Sequence, residues 1–149
     1  MRAIVQRVAS ASVDVEGERI AEIGAGLLIY LGVGHADDAK HAEYLAQKIR
    51  HLRIFRDDEG RMNRDVVEVG GAAIVVSNFS LFGDARKGRR PAYTAAAAPD
   101  RAEALYLDFC ERLGATGLAV QRGRFQAMMD VAAVNDGPIN LLLDSEKLF

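Results

Sequence analysis

Hydrophobic and polar residues alternate one for one through the opening of the chain. Ile4, Gln6 and Val8 fall on one side of the alternation, Val5 and Arg7 on the other, and the spacing continues through "SVDVEG" and "RIAEIGAG" into the apolar run "LLIYLGV". Antiparallel strands are predicted, with turns at Glu16-Gly17 and at Gly24 to Gly26. The apolar positions then open to helical spacing: Ala42, Leu45, Ile49 and Leu52 form a stripe, acids stand at Asp37 and Asp38, and cations at Lys48 and Arg50 near the far end. An amphipathic helix is expected there, with Asp37 as its N-cap. "RIFRDDEGRMN" reads as a hairpin about Asp58 to Gly60, and "GGAAIVVSNFSLF" as a buried strand opened by two glycines.

A second helix opens at Pro99 and Asp100, with Glu103 three residues after the aspartate. Ala102, Leu105, Tyr106, Phe109, Cys110 and Leu113 supply its buried face, and Gly114 is expected to end it. "LAVQRGRF" and "VAAVNDGPINLLLD" return to strand. The predicted fold is α+β, a mostly antiparallel β-sheet or barrel with two packed helices, as a single domain over residues 1–149.

Composition narrows the function without naming it. At 149 residues and 50% hydrophobic, the chain can bury one proper core, and a formal net charge of -2 demands neither nucleic acid nor a membrane surface. A single cysteine, Cys110, rules out an intrachain disulfide and faces the predicted core. "MRAIVQRVASASV" lacks the apolar core of about seven residues that a signal peptide needs, and no window approaches the ~18 apolar residues of a membrane span. A soluble cytoplasmic protein is expected. His35, His41 and His51 lie in or beside the first helix, and the metalloprotease, nucleophile-elbow, P-loop and dinucleotide-binding patterns are all missing. Neither a metal nor a cofactor is expected. Asp57, Asp58 and Glu59 lack calcium-loop spacing and read as a solvated turn.

Three stretches carry candidate chemistry. "SNFSLF" ends the buried strand with hydroxyls, an amide and an aromatic ring, which is the makeup of a small polar pocket or simply the pleat of the strand. "GDARKGRRPAY" places Arg86, Lys87, Arg89 and Arg90 within five residues, and such a cluster suits phosphate. In "VNDGPINLLLD", Gly137-Pro138 interrupts a strand. It is either an Asn-Asp-Gly hairpin turn or a rigid edge of main-chain carbonyls, since an X-Pro peptide can be cis at only ~0.5 to 1 kcal/mol.

Taken together these stretches, with "MRAIVQRVASASV" and "GRFQAMMDVAAVNDGP", resemble the D-aminoacyl-tRNA deacylases of the bacterial and eukaryotic type over essentially the whole chain. The resemblance implies a cytoplasmic, metal-free homodimer that proofreads aminoacyl-tRNA by hydrolysing D-aminoacyl-tRNA, and glycyl-tRNA formed on tRNA-Ala. The family's Ser-Gln-Phe-Thr motif falls on Ser77, Asn78, Phe79 and Ser80, and its cis Gly-Pro motif on Gly137 and Pro138. In the family, Gly-Pro enters the partner subunit's pocket, supported by an arginine that matches Arg7. Phe125 and Met129 match the pocket wall near the adenosine, and Arg86 to Arg90 would meet tRNA phosphates.

Asn78 stands where glutamine is usual, Ser80 where threonine is usual, and Asn140 replaces a threonine just past Gly-Pro. Ser80 keeps the hydroxyl, while Asn78 is one methylene shorter. An activated ester needs position and an oxyanion donor, so amides around Phe79 and Ser80 are expected to serve, with the 2'-hydroxyl of the tRNA assisting attack. A non-catalytic RNA-binding module and a serine esterase acting through Ser77 or Ser80 are the rival readings.

Overall fold

The opening alternation forms one long strand, β1 (Arg2–Val15), in the computed structural model, which describes all 149 residues. After it come β2 (Glu18–Ile23), β3 (Gly26–Gly32), α1 (Ala39–Arg50), the small hairpin of β4 (Phe55–Arg56) and β5 (Met62–Arg64), and β6 (Ala72–Ser77). A 3-10 turn (Phe79–Phe82), α2 (Pro99–Ala115), β7 (Ala119–Arg122) and β8 (Asp130–Asp144) complete the chain.

The sheet runs β2-β1-β3-β6-β7, with β8 on the opposite edge of β1. β1 is antiparallel to all three of its neighbours, as its pattern predicts. The turn into β2 places Glu16 and Gly17 at φ 53° and 80°, matching the twist of a tight hairpin. β6, however, is parallel to both β3 and β7, so the sheet is mixed. The cause lies in the connections: α1 lies between β3 and β6 and α2 between β6 and β7, and such crossovers return the chain in the same direction. A side chain then nearly closes the sheet into a barrel. Gln121 of β7 accepts the Glu22 amide of β2 and donates to the Glu22 carbonyl, each at 2.7 Å.

Two apolar layers result. Ala42, Leu45 and Ile49 of α1 and Tyr106, Phe109 and Leu113 of α2 pack on Leu27, Ile29, Leu31 and Val75. Val8, Val13, Ala21, Leu28, Ile74 and Val76 fill the other face of the sheet. The unbroken apolar run in β3 follows from burial on both faces. Neither helix is long and apolar enough to cross a membrane.

Two helix boundaries differ from expectation. Asp38, not Asp37, caps α1: its carboxylate accepts the Lys40 amide at 2.9 Å, while His41 Nδ1 accepts the Asp38 amide at 3.0 Å. Asp37 is instead buried, where it accepts the Met1 ammonium group and, at 2.6 Å, the Gly34 amide. α2 starts after Ala98 with no side-chain cap and runs past Gly114 to Ala115; the left-handed residue that follows is Gly117, at φ 88°.

At Gly137-Pro138 the structure takes the second of the two readings left open, a cis peptide within the strand. No hairpin turn forms; β8 continues through this point and bulges. Val8 pairs with Asn135 and Gln6 with Asn140, so residues 136 to 139 are set out from the ladder and Pro138 needs no ladder hydrogen bond.

Candidate functional site

β3, β6 and β7 are mutually parallel, so their carboxyl ends lie together, the edge where open α/β sheets gather ligands. Leu31 of β3 pairs with Ser77 of β6, and Val75 of β6 with Arg122 of β7. The polar stretch after β6 and the "GRFQAMM" stretch after β7 therefore emerge side by side.

Between them opens a cavity of about 710 Å³. Ser77, Asn78 and Phe79 line one part, and Phe125 and Met129 another, so five of the residues singled out in the sequence meet in one place. Phe79 is 61% exposed, with its ring edge-on to Tyr93 at 5.0 Å between centroids. Beneath the opposite wall, Tyr106 sits 6.0 Å from Phe125 and donates its hydroxyl hydrogen bond to the Val75 carbonyl at 2.8 Å. Burial raises the Tyr106 phenol and pushes the neighbouring Cys110 thiol up to about 12, so both stay protonated as structural groups.

Ser80 is exposed, does not line the cavity and is bonded to Asn78. The Asn78 side-chain oxygen accepts the Ser80 amide at 3.0 Å and also the Ser80 hydroxyl, capping the 3-10 turn. The Asn78 amide goes to the Leu31 carbonyl at 2.8 Å and the Leu81 amide to the Asn78 carbonyl at 3.4 Å. The Phe79 amide has no protein acceptor, whereas the Ser80 amide is taken up by Asn78.

Arg7, Gly137 and Pro138 do not line this cavity. They form a separate constellation in which the Gly137-Pro138 peptide is cis and Gly137 has φ 123°. Asn135 donates to the Arg7 and Ile139 carbonyls at 2.9 and 3.2 Å, and Asn140 donates to the Asn135 side chain at 2.9 Å while accepting from Gln6 at 2.8 Å. The Arg7 guanidinium, only 3% exposed, donates to the Ile54 carbonyl. Its Nε lies 2.9 Å from the Asp136 carboxylate but off the N–H axis, making an ion pair rather than a hydrogen bond. Together these contacts fix the bulge at both ends.

The Arg86 to Arg90 loop also stands apart from the cavity lining. Arg86 is committed to Asp84, with Nε and Nη2 donating at 2.9 and 2.6 Å. Those bonds hold the Asp84 carboxyl at about 2, well below its ordinary value. Lys87, Arg89 and Arg90 are exposed and take part in no ion pair.

Tyr93, Gln126, Met128 and the wall from Ala96 to Ala102 also line the cavity, and sequence reasoning missed them. The alanines carry no chemical signal; their contribution is the space that small side chains leave.

A family model described as D-Tyr-tRNA(Tyr) deacylase matches residues 4–144. A D-aminoacyl-tRNA deacylase of Symbiobacterium thermophilum is 54% identical over 149 residues, covering 100% of this chain and 99% of that protein. One from Koribacter versatilis is 55% identical and covers 100% of both chains. Among solved structures, a c-Myc DNA unwinding element binding protein shares 37% identity and superposes with a TM-score of 0.91, covering 97% of this chain and 98% of its own. The chain therefore belongs to the D-aminoacyl-tRNA deacylase family, hydrolases of the ester bond that joins a D-amino acid to tRNA.

Proposed function

We propose that this chain proofreads aminoacyl-tRNA in the cytoplasm as a single deacylase domain spanning residues 1–149. Its substrates are D-aminoacyl-tRNA and glycyl-tRNA formed on tRNA-Ala. The observation that carries the reading is the convergence of Ser77, Asn78 and Phe79 with Phe125 and Met129 on one cavity at the carboxyl ends of three parallel strands. The terminal adenosine sits against Phe125 and Met129, and the acyl carbonyl points to the Phe79 amide. Attack by water is assisted by the substrate's own 2'-hydroxyl, because no histidine lines the cavity and Ser80 is bonded to Asn78. A positioned ester and one preorganised donor account for most of the catalysis such a substrate needs.

Chirality is read by exclusion. In a homodimer, the Gly137 and Pro138 carbonyls of one subunit enter the other's cavity and occupy the space an L side chain requires, whereas glycine and D side chains avoid them. Steric exclusion reaches further than the ~1 to 3 kcal/mol of a hydrophobic preference. Support for pairing comes from the outer surface of β8, where Val134 and Leu142 are 60% and 63% exposed, and from the distance of Gly-Pro from its own cavity lining. Arg7 supports the motif from below, and Lys87, Arg89 and Arg90, with Arg86 once released from Asp84, meet tRNA phosphates.

The test is the rate of deacylation of paired D- and L-aminoacyl-tRNA and of glycyl-tRNA, with sedimentation of the same protein. D-specific and glycine turnover by a dimer is expected. Efficient cleavage of the L-ester, or full activity in a monomer, would remove the exclusion mechanism.

A further inference from the structure

We propose that Arg122 and Arg124 form a phosphate clamp for the RNA strand leading into the cavity, a second cationic contact separate from the Arg86 to Arg90 loop. The inference rests on the nucleoside reading of that cavity and extends it to the nucleotides before the terminal one.

β7 ends at Arg122, which pairs with Val75 of β6, and the Gly123 amide donates to the Val75 carbonyl at 2.9 Å. The chain leaving β7 therefore runs alongside Ser77 and Asn78, carrying Arg122 and Arg124 on its exposed side. Both guanidinium groups lie beside a hollow of about 510 Å³ that also includes Phe125. Phe125 belongs to the cavity as well, so a strand leaving the cavity past this ring enters the hollow that both arginines line.

Neither arginine is in an ion pair. Several other guanidinium groups are less available: Arg19 is held by Asp14 and Glu22, Arg61 by Glu59, Arg86 by Asp84, and the half-buried Arg112 by Glu43 and Asp108. Glu103 is the one carboxylate along the hollow, and it pairs with neither arginine. Two unpaired planar donors beside an aromatic wall match phosphodiester oxygens next to a stacked nucleoside. Phosphodiester is favoured over a free anion because the hollow is open and continuous with the cavity.

The double variant R122Q/R124Q decides the matter in two assays. In anisotropy with uncharged tRNA across a salt series, Kd is expected to rise at least about tenfold. The slope of log K against log salt should become shallower by about 1.4, the value for two single-strand phosphate contacts. Lysine at both positions should restore most of the slope. In deacylation, KM for D-aminoacyl-tRNA should rise with kcat within about twofold, while D-aminoacyl-adenosine, which has no phosphate, is cleaved as by the unsubstituted protein. Unchanged Kd and slope, or equal losses on both substrates, would overturn the clamp. If the unsubstituted protein cleaves neither substrate, the deacylase reading fails while the anisotropy result still decides the phosphate contact.

Discussion

Asn78 takes both hydrogen-bond donors of Ser80, the amide at 3.0 Å and the hydroxyl, into one side-chain oxygen. A serine restrained in this way is neither a free nucleophile nor an oxyanion donor. On the proposed mechanism the oxyanion donor is the Phe79 backbone amide, which no side-chain truncation removes.

Ser80→Ala should therefore lower kcat on D-aminoacyl-tRNA by less than about tenfold, against the ~100- to 1,000-fold loss seen when an oxyanion donor is deleted. Rapid-quench kinetics should find no acyl-enzyme. A trapped acyl-serine at position 80 would instead make serine the nucleophile.

Gly137→Ala should damage both stability and specificity. At φ 123° an L side chain is strained, and a Cβ would stand 2.7 Å from Ile139 Cγ1, 2.8 Å from the Ile139 nitrogen and 3.2 Å from Arg7 Nη2. The backbone term alone costs about 1 to 3 kcal/mol. Urea unfolding should show that loss, and the ratio of L- to D-ester cleavage should rise; wild-type values for both would mean the bulge tolerates displacement.

Alkaline pH should destabilise the fold through Cys110 and Tyr106. An unfolded thiol ionises near ~8.5, whereas burial holds the Cys110 thiol at about 12 and raises the phenol. Between these values the unfolded chain binds fewer protons, so stability falls as pH rises, by up to ~1.4 kcal/mol per unit for each group. Urea midpoints should hold steady from pH 7 to 8 and drop above about 9, less steeply in Cys110→Ala. Iodoacetamide at pH 8 should label Cys110 only after unfolding.

The Asp84-Arg86 pair has the opposite sign. With its carboxyl lowered to about 2, Asp84 keeps its bonds to Arg86 above the ordinary carboxylate range and loses them as pH falls through about 2. Between pH 5 and 8 this pair should add no pH dependence to tRNA binding. Asp84→Asn should free Arg86 and steepen the salt dependence of binding by up to about one phosphate contact, measured by anisotropy.

Local pattern revealed what local physics controls. The stripe of α1, the buried face of α2 and the Glu16-Gly17 turn each depend on residues within a few positions of one another. Neighbouring alternatives were harder: Asp37 and Asp38 are equally good caps by type, and the buried Met1 ammonium group claims Asp37, leaving Asp38 to cap α1. The parallel pairing of β6 depends on partners more than forty residues away. At the site, the motif residues carry recognisable polar groups, whereas the Ala96 to Ala102 wall is defined by absent atoms. From local pattern Gly137-Pro138 stayed open between a hairpin turn and a rigid main-chain edge, because both want the same residue types.

The pairing of β1 with β8, from Arg2 opposite Asp144 to Asp14 opposite Asp130, also fixes an order of events during synthesis. β1 can fold back on β2 and β3 early, but its other edge must wait for the last strand to leave the ribosome. Until then a long, apolar strand edge is open to foreign pairing. The stretch that closes it is the same stretch that carries Gly137 and Pro138, so completion of the fold and placement of the cis Gly-Pro bulge are a single late step.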